Sequence, residues 1–319
     1  MKTVSNVAND YEHVTPSMRK KVQRAIDDLG YKPNLTARRL ATGRTGMIAL
    51  AIPETHHPYF SAVADAVVTA SEQRGYRVLI EQTDWKSERE IAVLRDREAG
   101  LVDGVIFQPS TVSSLEIAQL QGTPLVLLGE AAMPLSIDHV MIDNVEAAKK
   151  SVEHLIALGR KRIAFLGVVE NDNAGATMRR LAGYQAALEH AGIVPDPKLV
   201  LTVSDFTPDA AKATMLKALQ EGVGFDGVLC RDDRFAVAAL QSMRLGGAAL
   251  LENISIIGWD DTELSQYAFP TLTSVSPNKQ AIAEIAVDML LERIEGFTGM
   301  GRHRLAPFKL TLRDSAPRV

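Results

Sequence analysis

Met47-Ile48-Ala49-Leu50-Ala51-Ile52 is an unbroken apolar run of strand length, and Pro58 then starts a segment in which Phe60, Val63, Val67 and Ala70 share one face at helical spacing. Arg77 to Glu81 reads as the next strand, Ser87 to Ala99 as a helix, and Gly104 to Phe107 and Leu125 to Leu128 as further strands. The order repeats after residue 145. Helices are expected at Val145 to Leu158, Thr177 to Ala191, Pro208 to Glu221 and Phe235 to Leu245, alternating with strands at Arg162 to Leu166, Leu199 to Val203, Gly227 to Cys230 and Ile254 to Ile257. Alternation of this kind builds parallel sheets covered by helices on both faces. Two such units in sequence predict an α/β protein of two doubly wound parallel-sheet lobes.

Upstream lies Gly30-Tyr31-Lys32-Pro33-Asn34-Leu35-Thr36-Ala37-Arg38-Arg39-Leu40-Ala41-Thr42-Gly43-Arg44-Thr45. Pro33 blocks helix continuation, Leu35 to Ala41 is helix-competent, and Gly43 and Gly46 release the chain, so the stretch reads as a hinge. Before it, Thr15-Pro16 supplies an N-cap followed by proline at the first helical position, and Met18, Val22, Ala25, Ile26 and Leu29 fall at helical spacing. Thr3 to Asn9 reads as a short helix. Residues 1–46 hold nine lysines and arginines against four acids, although the whole chain of 319 residues carries a net charge of −4. A basic head on an acidic body points the head toward a polyanion. The bland alternative is an ordinary solvated helical face. With 46% hydrophobic residues the chain can bury a large core. No run is long and apolar enough for a membrane span, nothing resembles a secretory signal, and the single cysteine, Cys230, fits a reducing cytoplasm.

Ligands of doubly wound sheets bind beyond the carboxyl ends of the strands. That rule selects Pro53 to Phe60, Gln108 to Ser110, Gly167 to Arg180, Ser204 to Phe206, Arg231 to Arg234 and Gly258 to Asp261. Arg231-Asp232-Asp233 and Trp259-Asp260-Asp261 put carboxylates there, which accept hydrogen bonds from vicinal hydroxyls. Tyr59, Phe60, Phe206 and Trp259 are candidate flat walls for a pyranose or a purine, and the Arg180 fork can clamp a ligand oxygen. Competing readings make Asp233 or Asp261 a helix N-cap, and Phe60 or Trp259 plain core. No catalytic set emerges. The paired carboxylates lack a second group placed as an acid, and neither a GxxxxGK[ST] phosphate loop nor a G-x-S-x-G elbow occurs. His56-His57 lacks zinc-site spacing and reads as a solvent-facing loop pair, and Cys230 as a buried small hydrophobe. No metal and no cofactor is expected.

Several ordered motifs resemble one family, the lactose-repressor (LacI/GalR) family of bacterial transcription regulators. Thr3-Val4-Ser5-Asn6-Val7-Ala8-Asn9 is similar to its DNA recognition helix, Val14 to Arg19 and Leu29 to Asn34 to its third helix and exit, and Ala37-Arg38-Arg39-Leu40 to its hinge helix. His57-Pro58-Tyr59-Phe60, Val102 to Ile106, Arg179 to Tyr184, Ile257 to Asp261 and Leu312 to Ser315 continue the resemblance through the body. It implies lobes of periplasmic-binding-protein type, about 46–145 with 278–304 and about 146–277 with 305–319, preceded by a helix-turn-helix head and hinge helix over 1–45. It also implies a cytoplasmic homodimer, without a membrane partner, whose heads sit in major grooves of double-stranded operator DNA while a hinge leucine wedges into the minor groove. Carried over by motif, Thr3, Ser5, Asn6 and Asn9 would meet the major groove or phosphates, Tyr31 and Asn34 the backbone, and Arg38 and Leu40 the minor groove. A small-molecule effector, a carbohydrate, would lie between the lobes on Tyr59, Phe60, Arg180, Phe206, Asp232 and Asp260. Asp232 stands where many relatives carry Asn, which favours a hydroxyl donor on the ligand.

The family's first helix and tight turn are missing from this sequence, which starts inside the recognition helix, so the head is expected to be truncated. No leucine-heptad tail follows Arg313-Asp314-Ser315, in keeping with a dimer. The expected function is therefore a ligand-controlled transcriptional regulator, a repressor, with a cytoplasmic ligand-binding protein that has lost DNA binding as the rival. The direction in which the effector acts is left open.

Overall fold

The protein is described by a computed structural model covering residues 7, 13–29, 43–96, 100–118, 124–130, 134–169, 175–247 and 253–318. Pro16–Asp28 (α1) is the helix expected after Thr15-Pro16. Proline presets its first turn, but the Thr15 hydroxyl makes no capping bond to the helix. The hinge from Gly30 to Thr42 lies outside the described residues. Where the chain re-enters the body, Asp103 accepts the backbone N–H groups of Thr45 (2.6 Å) and Gly46 (2.8 Å).

The body then alternates as expected through Met47–Ile52 (β1), Pro58–Glu72 (α2), Arg77–Gln82 (β2), Ser87–Asp96 (α3) and Gly104–Phe107 (β3), and reaches Leu125–Leu128 (β4) after a short helix that was not expected, Ser114–Ala118 (α4). Asp138–Met141 (β5) was not expected as a strand. Its sequence, Asp-His-Val-Met, shows neither an apolar run nor alternation. Next come Asn144–Ala157 (α5), Ile163–Val169 (β6), Ala176–His190 (α6), Val200–Val203 (β7), Pro208–Gln220 (α7), Gly227–Cys230 (β8), Asp233–Gly246 (α8) and Ser255–Trp259 (β9). Strand β6 runs beyond the expected Leu166 because Gly167, at φ 127°, makes a bulge after which pairing with β7 resumes in a shifted register. The chain closes with Glu263–Tyr267 (α9), Thr273–Pro277 (β10), Lys279–Ile294 (α10), His303–Leu305 (β11) and Phe308–Thr311 (β12).

Two six-stranded sheets result, ordered β11-β5-β4-β3-β1-β2 and β12-β10-β9-β8-β6-β7. All pairings are parallel except β10 with β12. The chain passes between them three times: after β5, after β10 and between β11 and β12. Helix α10 packs on α2 and the first sheet, while α5 packs on α6 and the second. That last contact depends on Gly183, where a Cβ would stand 2.1 Å from the Val145 carbonyl oxygen. Strands β2 and β7 are the edge strands at the opposite ends of the two sheets from β11 and β12. The strand ends of the two lobes face one another across a cleft.

Candidate functional site: the cavity between the lobes

A cavity of about 400 Å³ occupies the cleft. Each of the six stretches picked by the strand-end rule contributes to its lining, and Tyr59, Phe60, Arg180, Phe206, Asp232 and Asp260 all reach it. Thr3, Ser5, Asn6, Asn9, Tyr31, Asn34, Arg38 and Leu40 lie outside the described residues.

Arg180 is held at three points. Its Nε donates to Asn144 Oδ1 at 2.8 Å, its Nη1 donates to the Arg231 carbonyl, and its guanidinium lies 4.1 Å from the centre of the Trp259 ring. Trp259 is thus fully enclosed, 0% exposed, and supports Arg180 from behind. Trp259 is core, and it also lines the cavity. Asn144 also donates to Glu130, whose carboxyl is raised above its ordinary range by burial. Sequence reasoning missed Glu130 and Asn144, which follow β4 and the unrecognised β5.

Asp232 has a divided role. One oxygen accepts the Phe235 N–H at 2.9 Å and caps α8, while the other has no hydrogen-bond partner among the described residues. That oxygen sits 3.6 Å from Arg231, 3.7 Å from Arg234 and 4.0 Å from His57 Nε2. His57 corrects the solvent-facing expectation: it is 5% exposed, and its Nδ1 accepts the Tyr59 N–H at 3.2 Å to cap α2. Burial first, and then Arg234, lower its pKa to about 3, which leaves a neutral ring with Nε2–H turned to Asp232. His56 alone is exposed.

Neither Asp233 nor Asp261 is an N-cap. Buried Asp233 accepts Thr262 N (2.7 Å), Thr262 Oγ1 (2.9 Å), Ser265 Oγ (2.7 Å) and Ser274 Oγ (2.6 Å), and so fixes the loop after β9. Asp261 pairs with Arg313 at 2.8 Å. Between them, Asp260 at φ 97° and Asp261 at φ 46° occupy the left-handed region, a strain that these anchors sustain. Burial raises the Asp260 carboxyl to about 7, against the opposing pull of Arg180. On the first lobe, Glu90 is 0% exposed and accepts Ser110 N (2.9 Å), Thr111 N (3.0 Å), Thr111 Oγ1 (2.9 Å) and Val112 N (2.9 Å). It thereby holds the loop from Gln108 to Thr111 against the cavity. The cavity therefore offers carboxylate acceptors, a forked donor and aromatic faces contributed by both lobes.

Fold and cavity together define a two-lobed ligand-binding protein of periplasmic-binding-protein type, and residues 152–316 match the periplasmic binding protein-like domain family. The chain is 31% identical over 315 residues to the HTH-type transcriptional regulator CelR of Thermobifida fusca, covering 93% of this chain and 88% of that protein. A LacI-family transcriptional regulator of Sanguibacter keddieii superposes with a TM-score of 0.79 at 35% identity, over 86% of this chain and 99% of that one. A complex of the regulator CelR with cellobiose superposes with a TM-score of 0.77 at 28% identity, over 98% of this chain and 95% of that one. The chain belongs to the LacI family of transcriptional regulators. Among the described residues no helix is long and apolar enough to cross a membrane.

Proposed function

We propose that the cavity binds a neutral sugar, and that this binding sets the affinity of a homodimer for operator DNA, whose transcription it represses. The observation that carries the reading is the convergence of Arg180, Asp232 and Asp260 with Tyr59, Phe60 and Phe206 in one cavity of about 400 Å³. Carboxylates accept from vicinal hydroxyls, the guanidinium donates to ring and hydroxyl oxygens, and Tyr59 and Phe60 offer apolar surface to the sugar's C–H face. The Phe206 ring, covered by Arg231 at 3.8 Å, bounds the cavity. The volume lies in the range of small-molecule sites, roughly 300–1,000 Å³. The structural similarity to a regulator solved with cellobiose supports the same ligand class. Coupling to DNA follows from the re-entry point: the hinge leaves the first lobe at Thr45 and Gly46 on Asp103, and Arg44 Nη2 donates to the Ile294 carbonyl at the end of α10 at 3.1 Å. The base of the hinge is thus fixed to the first lobe, so a ligand-driven turn of that lobe carries the hinge with it.

A thermal-shift screen with sugars, nucleosides and sugar phosphates tests the site. Neutral sugars are expected to stabilise the chain, and no response to any sugar would remove the reading. Gel shifts on the neighbouring promoter, with and without the stabilising sugar, test the coupling.

The Asp260 carboxyl adds a pH signature. Its folded pKa of about 7 lies above the unfolded value, so in the ligand-free chain its contribution to stability is present only below about pH 4 and is lost as pH rises to about 7. Sugar hydroxyls bond the ionised form more strongly. Affinity is expected to fall roughly tenfold from pH 8 to pH 6, measured by calorimetric titration. An affinity independent of pH in Asp260→Asn, but not in the parent, assigns the effect to this group.

A further inference from the structure

Trp85 lines the cavity yet belongs to none of the strand-end stretches selected from the sequence. It follows β2, and Phe206, on the opposite lobe, follows β7. These are edge strands, at the opposite ends of the two sheets from β11 and β12. Their rings meet across the cleft, with centroids 6.2 Å apart and planes tilted by 35°. A second contact joins the same two residues. The Trp85 indole donates to Glu54 Oε1 at 2.6 Å, Glu54 Oε2 faces Arg234 Nη1 at 3.9 Å, and Arg234 Nη2 donates to the Phe206 carbonyl at 3.4 Å. The four residues therefore close a circuit in which both cross-lobe links are weak and both links within a lobe are hydrogen bonds.

The carrier of Trp85 is also unusual. Asp84 at φ 54° and Trp85 at φ 57° are consecutive non-glycine residues in the left-handed region. The turn is tied to the β1–α2 loop by Thr83 N to the Ile52 carbonyl and Asp84 N to the Pro53 carbonyl, both 2.9 Å. Strain maintained in this way gathers where a residue must be presented. The charged side of the circuit is slack: Glu54 Oε2 and Arg234 Nε are buried without a hydrogen-bond partner among the described residues. An ion pair at that separation gives up little when it opens, and ring centroids at that spacing are in contact, leaving no room for a ligand between them.

We propose that Trp85 and Phe206, backed by Glu54 and Arg234, form a clasp across the open edge of the cleft, and that the sugar enters and leaves the cavity through it. The clasp rests on the sugar-binding reading above. It is a gate and not an anchor, because its cross-lobe links join protein to protein, so opening it lowers the barrier for entry and exit alike.

The test is stopped-flow mixing of the full chain with those of D-glucose, D-galactose, D-ribose, maltose and cellobiose that shift its melting temperature. Trp85→Ala is expected to raise association and dissociation rate constants together, each by about fivefold to tenfold, leaving Kd within about threefold. Glu54→Gln is expected to do the same, by about threefold. This second variant retains the acceptor for the indole, so it carries the test even where Trp85→Ala fails to fold. A faster dissociation with unchanged association would make Trp85 an ordinary ligand contact and overturn the clasp, as would rates unchanged in both variants. If a sugar binds and only the rates fail to respond, the clasp alone falls; if none of the five binds the parent chain, the sugar reading falls and the clasp with it.

Discussion

Asp138→Ala is expected to destabilise the protein by about 3–5 kcal/mol, the range for removing one partner of a buried ion pair. Asp138 is 0% exposed at the start of β5, and two arginines from distant sequence converge on it. Arg293 donates through Nε (3.0 Å) and Nη2 (2.9 Å), and Arg302 through its backbone N–H (2.8 Å) and Nη2 (2.7 Å). Both guanidinium groups also pack on Phe297, at 4.7 and 4.4 Å from its ring centre. Alanine would leave two partly buried cations facing each other, with the start of β5 losing its tie both to α10 and to Arg302 just before β11. By contrast, exposed pairs such as Lys150–Glu146 at 3.5 Å are worth a few tenths of a kcal/mol at most. Differential scanning calorimetry should show a fall of roughly 5–7 °C, and Asp138→Asn a smaller one because shape and some acceptors survive. Burial alone would raise the Asp138 carboxyl, but the arginine hydrogen bonds outweigh it and hold the pKa at about 2. Its contribution is thus present above about pH 4 and lost as pH falls toward 2. That acid limb should vanish in the alanine variant.

This network also marks where sequence reasoning stops. Strands β1, β3, β4 and β8 are short apolar runs, buried on both faces, and such runs announce themselves. Strand β5 starts with an aspartate whose partners sit in α10 and just before β11, and no local pattern encodes a contact made by residues so far along the chain. The cavity divides along the same line. Arg180, Asp232 and Asp260 follow strands that could be recognised, so topology alone brought them to the site. Glu130 and Asn144 flank the strand that could not be seen, and they are the residues that orient Arg180. Trp85 follows a recognisable strand, yet its signal is a left-handed backbone, which leaves no trace in a tryptophan codon's neighbours. Whether an acidic residue faces ligand or frame was likewise illegible: adjacent Asp232 and Asp233 point one to the cavity and one to Thr262, Ser265 and Ser274.

Arg180→Ala is expected to abolish sugar binding, with a loss of at least ~100-fold, since two charge-assisted hydrogen bonds at about 1.5–3 kcal/mol each account for that much. The loss has an indirect part as well. Burial lowers the Arg180 guanidinium pKa and Asp260 opposes that change, so the two groups support each other's charge. Without the cation, the Asp260 carboxyl rises further and is neutral near pH 7, taking the site's acceptor away together with its donor. Arg180→Lys restores charge without the fork that reaches Asn144 and the Arg231 carbonyl, and should recover only a small part of the affinity. Asp232→Asn makes an informative contrast. Asparagine caps a helix as well as aspartate does, so the bond to Phe235 N survives, while the second atom turns from acceptor to donor. That variant should lose some melting temperature, because Arg231 and Arg234 lose a buried counter-charge, but it should still bind sugar and change which one it prefers. Arg180→Ala should lose the response to every sugar, and in gel shifts its DNA affinity should no longer depend on sugar at all. A sugar that still moves the DNA equilibrium of Arg180→Ala would place the effector somewhere other than this cavity, because ligand can bias lobe angle only through differential contacts it makes in the two states.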